Sequence, residues 1–288
     1  MVDVACNPRV LVVTPEVTYL PDRMGGLASF FTAKAGGLAD VSAALVTALF
    51  EQGADVHVAI PDYRAIFSDG LAPVLQKEFR TIRRKMPDDR IHLAEDRAFY
   101  YVNRVYSAYG EENIKLALAF QREVINNIVP RVQPDLIHCN DWMTGLVPAM
   151  LKEVRGAPAS IFTIHNLAYQ GLFDQSNFER LALPSRLWSL HGLEFYEMLS
   201  YLKGGIAFSD LVTTVSPTYA EEIQTAEFGY GLQGLLGHLE DRLVGVLNGV
   251  DYDYWNPGTD PAIPSHYGVA SFEAKQGNKT ALQQELGL

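Results

Sequence analysis

Cysteine is nearly missing from this chain: Cys6 and Cys139 stand alone among 288 residues. They lie far apart, without metal-ligand spacing, and suggest neither a disulfide framework nor a metal site. Long apolar runs are missing too. No stretch reaches membrane-spanning length, and the N-terminus lacks the basic and apolar regions of a secretory signal. The expectation is a cytoplasmic protein with no membrane partner. Basic residues are scarce beside acidic ones, 23 Lys and Arg against 34 Asp and Glu, for a net charge of -11. A sequence-independent grip on nucleic acid is therefore not expected, and an anionic ligand would need a locally positive pocket. Internal repeats, low-complexity tracts and coiled-coil heptads are also absent. What remains is an ordinary globular composition, 48% hydrophobic and 20% charged, with ample material for a core.

Apolar runs of strand length recur along the chain. Arg9 to Thr14, Asp55 to Ile60, Asp135 to His138, Ser160 to Ile164, Leu211 to Val215 and Leu243 to Leu247 read as buried strands. Helical spacing fills the gaps over 42–52, 113–128, 142–154, 195–207 and 217–223. Ser216 is a natural N-cap there, with Pro217 in the first turn. Strands alternating with helices predict an α/β fold, a Rossmann-like doubly wound parallel sheet. The section from Leu75 to Tyr109 breaks the rhythm. It is charged, then rich in Tyr and Val, and reads as a β-hairpin excursion.

Polar residues fall at the strand ends. The first strand leads, through a long loop, to Lys34-Ala-Gly-Gly. The third leads to Asn140-Asp141-Trp142, the fourth to His165-Asn166, and the sixth to Asn248-Gly249. In an open parallel sheet the carboxyl ends of the strands line one edge, where ligands bind. Lys34, Asp141, His165 and Asn248 are thus expected to converge on one cleft. Glycines at 36 and 37 would let a phosphate approach the backbone at a helix N-terminus, with Lys34 supplying charge. This turn has neither Walker A nor Gly-x-Gly-x-x-Gly spacing.

Each residue also has a plainer reading. Taken alone, the glycine pair is a flexible helix start, and Asp141 serves equally as a helix cap or as an acceptor for sugar hydroxyls. Asp40 favours the helix dipole with or without a ligand. His165 reads equally as structural or functional, until the polar and aromatic loop Asn166, Tyr169, Gln170 and Gly171 beside it is considered. Asn248-Gly249 is a strong turn signal in itself. His57 and His138 sit inside strand patterns and read as packed. His191 has no assignment. The three tryptophans read first as core.

Several long segments resemble the bacterial glycogen synthase and plant starch synthase family. They are Lys-Ala-Gly-Gly-Leu-Ala-Asp-Val (34–41), His-Cys-Asn-Asp-Trp-Met-Thr-Gly-Leu (138–146) and Phe-Thr-Ile-His-Asn-Leu-Ala-Tyr-Gln-Gly (162–171). The series continues with His-Gly-Leu-Glu-Phe (191–195), Tyr-Leu-Lys-Gly-Gly-Ile (201–206), Thr-Val-Ser-Pro-Thr-Tyr-Ala-Glu-Glu-Ile (214–223), Glu-Phe-Gly-Tyr-Gly-Leu-Gln-Gly-Leu-Leu (227–236) and Val-Leu-Asn-Gly-Val-Asp (246–251). They occur in family order and are specific as a set.

The resemblance implies the N-terminal half of a GT-B glycosyltransferase. That enzyme would transfer glucose from a sugar nucleotide, usually ADP-glucose, to the nonreducing end of an α-1,4-glucan, with retention and with neither metal nor cofactor. By family position, Lys34, Gly36 and Gly37 approach the donor phosphates. Asp40, Asp141 and Asn248 contribute to donor or glucosyl binding. His165 is the catalytic histidine of this half, and Asn166 and Gln170 belong to the sugar-binding loop beside it. Residues 1–270 would form the acceptor-side domain. Residues 271–288 would lead into a C-terminal donor domain carrying the family's remaining arginine, lysine and glutamate, and without it this chain is expected to be inactive.

The chain departs from the family pattern at Ala35, where Thr or Val is usual, and at Met143, where many members carry His. The loop from Glu16 to Ala33 is longer than usual and is expected to cover the acceptor channel, the alternative being a surface insertion. The family's tyrosine-containing loop near residues 100–110 has no secure match, and Tyr109 is not assigned. Two other readings compete. One is a non-catalytic α-glucan-binding module or partner subunit. The other is a nucleotide-cofactor oxidoreductase, against which the missing dinucleotide fingerprint weighs.

Overall fold

A computed structural model describes residues 7–69 and 90–288. The chain forms two compact units, the first ending at Asn248 and the second beginning at Gly249. The boundary read from sequence, 270/271, lies inside the second unit. That unit holds a short helical turn, Val269–Ala274, and a helix, Lys275–Leu286. Asn278 ties down its entry by accepting a bond from the Ser265 amide and donating one to the Ser265 carbonyl, both at 2.8 Å.

The first unit is built on a seven-stranded parallel sheet. Its strands are β1 (Arg9–Val13), β2 (Asp55–Pro61), β3 (Ile91–Ala94), β4 (Leu136–Asn140) and β5 (Ala159–Ile164), joined later in the chain by Leu211–Thr214 and Leu243–Gly245. From one edge the order is Leu243–Gly245, Leu211–Thr214, β5, β4, β1, β2, β3. The sheet grows one way from β1 through β2 to β3, then the other way from β4. Right-handed crossovers place the helices on opposite faces when the direction reverses, which is double winding. Strands covered on both faces must be apolar throughout, and Leu11, Val12, Val13, Ile137, Phe162 and Val212 are all fully buried. Helix α1 (Gly37–Glu51) follows β1 and buries Leu38, Ala39, Ala43 and Val46. Helix α2 (Gly110–Glu123) continues through one π-type turn, Val124–Ile128, to Val132.

Two sequence expectations are corrected. The first is the hairpin expected over Leu75–Tyr109. Its part at 75–89 lies outside the described residues. In the remainder, Ile91–Ala94 is a parallel strand at the sheet edge, paired with β2, and Arg97–Phe99 is a single helical turn. The alternation of Tyr and Val there reflects burial of Phe99 and Val105 beneath an irregular loop, not a pleat.

The second is the helix expected from Phe195, which starts at Tyr201. Ahead of it runs a three-stranded antiparallel sheet, β6 (Leu172–Asp174), β7 (Glu194–Phe195) and β8 (Met198–Ser200), in the order β6-β8-β7. The two residues joining β7 to β8, Tyr196 and Glu197, have φ of 49° and 63°. Positive φ at both positions is the geometry of a tight hairpin turn. Ser200 then caps the helix by accepting from the Lys203 amide at 3.1 Å.

The long loop after β1 is no loose insertion. Val17 bridges Ala33, and Leu20, Met24, Leu27 and Phe31 are buried in the main core. An apolar side chain of this size, once buried, holds its segment by roughly 1.5–3 kcal/mol.

Candidate functional site

At the carboxyl edge of the sheet lies a hollow of about 660 Å³. Its walls come from the loop and first turns of α1 (Glu16, Gly36, Gly37, Val41), from the segment before and within α2 (Tyr106, Ser107, Asn113), and from the strand ends (Asp141, His165, Asn166, Asn248). Residues far apart in sequence meet here because parallel strands deliver their ends to one rim.

Asp141 is the most constrained of them. It has φ 57° and ψ -179°, a region that is essentially reserved for glycine. An ordinary residue held there costs on the order of 1–3 kcal/mol, so its surroundings must over-determine it. They do. Its amide donates to the Thr163 carbonyl at 3.0 Å, and its carbonyl accepts from the Thr144 amide at 3.0 Å and hydroxyl at 2.9 Å. Its carboxylate accepts from the His165 amide at 2.8 Å and also from the Asn166 backbone. Burial nevertheless pushes the Asp141 carboxyl up to about 7; these amides pull it down, and the nearby Glu16 charge adds to the rise.

His165 ends β5. Its Nε2 lies 3.0 Å from Oδ1 of Asn140, a buried residue at the end of β4. Burial, with a smaller contribution from His138, lowers the imidazole to about 3, so it is neutral at ordinary pH. Asn166 and Tyr169 stand exposed on one rim and Asn248 on another.

The glycine loop is organised by a residue that the sequence reading passed over. Glu16 is buried, and its carboxylate accepts from the amides of Ala35 at 2.5 Å and Gly36 at 3.0 Å and from the Tyr106 hydroxyl at 3.2 Å. Two of the N–H groups expected to meet a phosphate are thus already occupied by an internal carboxylate. Gly37 and Leu38, in the first turn of α1, line the hollow. Lys34 is not among the lining residues. Its ammonium is held by both oxygens of Asp40, at 2.9 and 2.8 Å, and Asp40 also accepts from Thr18 at 2.6 Å. Gln170 is buried behind the loop, where its amide nitrogen donates to the Tyr230 carbonyl at 3.0 Å.

Of the residues singled out in the sequence, Gly36, Gly37, Asp141, His165, Asn166 and Asn248 share the hollow, while Lys34, Asp40 and Gln170 stand outside its lining. Glu16, Tyr106, Ser107 and Asn113 join it unannounced. None of the four carried a usable local signal. No lysine or arginine is among the described lining residues. The wall presents neutral amides, hydroxyls and two carboxyls, a set suited to sugar hydroxyls. Trp142 lies 6.2 Å from the Tyr106 ring and forms the apolar floor.

A sequence model described as the starch synthase catalytic domain matches residues 9–238. The chain belongs to this starch synthase family. Glycogen synthase 1 of Methylococcus capsulatus is 42% identical over 272 residues, covering 88% of this chain and 55% of that protein. Glycogen synthase 2 of Nitrosococcus oceani is 55% identical over 156 residues, 54% of this chain and 32% of that one. Among solved structures, the catalytic domain of Starch Synthase IV from Arabidopsis thaliana, bound to ADP and acarbose, is similar with a TM-score of 0.75 and 27% identity. That match covers 98% of this chain and 59% of the other. The chain therefore spans little more than half the length of the relatives it matches along most of its own. Its parallel sheet is the Rossmann-like half of the GT-B fold that starch synthase family membership implies.

Proposed function

We propose that this chain is the acceptor-side half of a retaining glucosyltransferase. It would transfer glucose from a sugar nucleotide, ADP-glucose, to the nonreducing end of an α-1,4-glucan in glycogen or starch synthesis. The observation that carries this reading is the hollow itself. Asp141, His165 with Asn166, and Asn248 follow three different strands into one hollow, on a sheet of the starch synthase family. Residues 1–270 act as the acceptor-side domain, and 271–288 lead to a donor domain that completes the cleft. The reaction takes place in the cytoplasm and uses no metal or cofactor.

Within this reading His165 contacts the transferred glucose as a neutral hydrogen-bonding group, in keeping with its lowered pKa. Asp141, its carboxyl raised by burial, accepts from or donates to a sugar hydroxyl. Asn166 and Asn248 add contacts at the rim, and Gln170 supports the loop from behind. The diphosphate approaches Gly36-Gly37 and meets the helix dipole at the first-turn amides. Lys34 joins it by exchanging Asp40 for phosphate, and Asp40 returns the favour by holding the lysine ready in the absence of donor.

Calorimetry and a transfer assay test the reading. Maltooligosaccharides should bind the chain, and Asp141→Asn or His165→Ala should weaken that binding at least tenfold. The chain alone should not elongate maltooligosaccharide from ADP-glucose. Elongation at enzyme-like rates by these residues alone would refute the divided cleft. Failure of both glucan and nucleotide to shift any resonance from the hollow would refute the site. Glucan binding that persists without any gain of turnover when a family donor domain is supplied would convert the reading to a binding module.

A further inference from the structure

The side chain that determines what His165 can do is Asn140. Its amide nitrogen donates to two backbone carbonyls, Val13 at 3.1 Å and His138 at 3.4 Å. Carbonyls only accept, so the orientation of this amide is fixed: nitrogen toward β1, oxygen toward His165. An amide oxygen also only accepts. The imidazole nitrogen 3.0 Å away, Nε2, must therefore carry a proton. In a neutral ring the other nitrogen, Nδ1, is then a bare lone pair. Among the described residues Nδ1 has no protein partner, and His165 lines the hollow.

We propose that Asn140 is a positioning residue that locks His165 in the Nε2–H tautomer, so that the ring meets its ligand as a hydrogen-bond acceptor at Nδ1 and not as an acid. This rests on the sugar-binding reading above only for the identity of the ligand; the tautomer follows from the contacts alone. The ligand group is accordingly a hydroxyl that donates, as a glucosyl hydroxyl can. The arrangement is well held. Asn140 is buried, it ends a central strand, and its carbonyl-directed bonds tie β4 to β1. The acid–base groups nearest His165 are His138, which lowers the ring, and Asp141, which bonds its backbone amide, with Glu16 acting on Asp141. His138 is itself engaged with the Thr163 hydroxyl at 2.5 Å and lowered to about 4 by burial, so it brings no positive charge at neutral pH. The Asp141 carboxylate faces the His165 backbone amide.

Long-range 1H–15N correlation on the histidine-labelled 288-residue chain reads the tautomer directly, with His165→Gln giving the assignment. The expected spectrum has a protonated Nε2 and an unprotonated Nδ1 at pH 7, with only Nδ1 shifting markedly when maltotriose is added. A proton on Nδ1, or a doubly protonated ring, overturns the proposal whatever the sugar does. The expected Nε2–H tautomer without any response to maltotriose leaves the lock standing and counts against the sugar reading instead. Asn140→Leu removes the acceptor and should yield a mixture of tautomers with glucan binding weakened about fivefold. Asn140→Asp keeps an oxygen there and should restore the single tautomer. If Asn140→Leu folds and keeps the parent spectrum, Asn140 is not the lock. If that variant does not fold, the parent spectrum alone decides.

Discussion

The two walls of the hollow are built on opposite plans. On the α1 side, Gly36 and Gly37 are exposed, and a Cβ added at either would meet nothing within 4 Å. The wall is open, and its charges are spent on each other, Glu16 on the loop amides and Lys34 on Asp40. On the strand-end side the buried groups are wedged. Gly171 has φ 57°, and a Cβ there would come within 2.5 Å of the Trp142 indole. Behind this wall, a Cβ at Gly205, in the helix that starts at Tyr201, would come within 2.4 Å of the Phe162 ring of β5. Asp141 is held in a backbone conformation that side chains avoid. One wall leaves open space for a ligand; the other presents hydrogen-bonding groups held by packing. On the proposed function, the open wall would meet the diphosphate and the packed one the sugar.

The contrast is open to substitution. Gly205→Ala should have the largest effect, a loss of about 3 kcal/mol from overpacking against Phe162, read by urea denaturation. A loss below the scatter of surface variants would show that the strand-end wall yields as easily as the loop. Asp141→Ala should follow at about 2 kcal/mol, because the buried amide of His165 loses its acceptor while the strained backbone remains.

Asp141→Asn should show a pH signature in place of a fixed loss. Burial raises the Asp141 carboxyl to about 7, well above the usual aspartate range, so its neutral form is favoured in the folded state. The folded chain then holds a proton that the unfolded chain has released, and stability contributed at low pH is lost as pH rises through that window. Melting temperature measured from pH 4 to pH 8 should therefore move in favour of the Asn variant as pH rises. His165 and His138, lowered by burial to about 3 and about 4, act in the opposite sense, with stability lost as pH falls below the usual histidine value. A flat difference between Asp141→Asn and parent would mean that the carboxyl is not raised. Gly36→Ala should change stability by less than about 0.5 kcal/mol, since the position is open and extended. Lys34→Met should be smallest, within about 0.5 kcal/mol, because a half-exposed ion pair contributes little. If either costs as much as Gly205→Ala, the loop wall is rigid and the contrast is lost.

The parallel sheet could be read from the sequence because the strands carry short apolar runs such as Val-Leu-Val-Val, and such a run requires cover on both faces. The polar residues of β4 and β5 could be placed on the rim for a related reason: Asp141 and His165 follow their strands without a gap. Glu16 and Tyr106 were out of reach of such reasoning. They matter through a contact with each other across 90 residues, and nothing local to either signals it. The hairpin at Tyr196-Glu197 was hidden because neither residue is the glycine or asparagine that usually marks positive φ. The role of Lys34 was read from a charge beside two glycines, and that of Asp40 from the family resemblance. The sequence could not show that the two side chains engage each other in the unliganded chain.

The want of lysine and arginine around the hollow has a consequence for the setting in which it works. A neutral carbohydrate seated among amides, hydroxyls and a carboxyl raised by burial releases no counterions on arrival. Its affinity for this chain should therefore hold steady when ionic strength rises, while the grip of any charged co-substrate weakens by screening. On the proposed function, rising ionic strength would leave a glucan acceptor docked and release a sugar nucleotide.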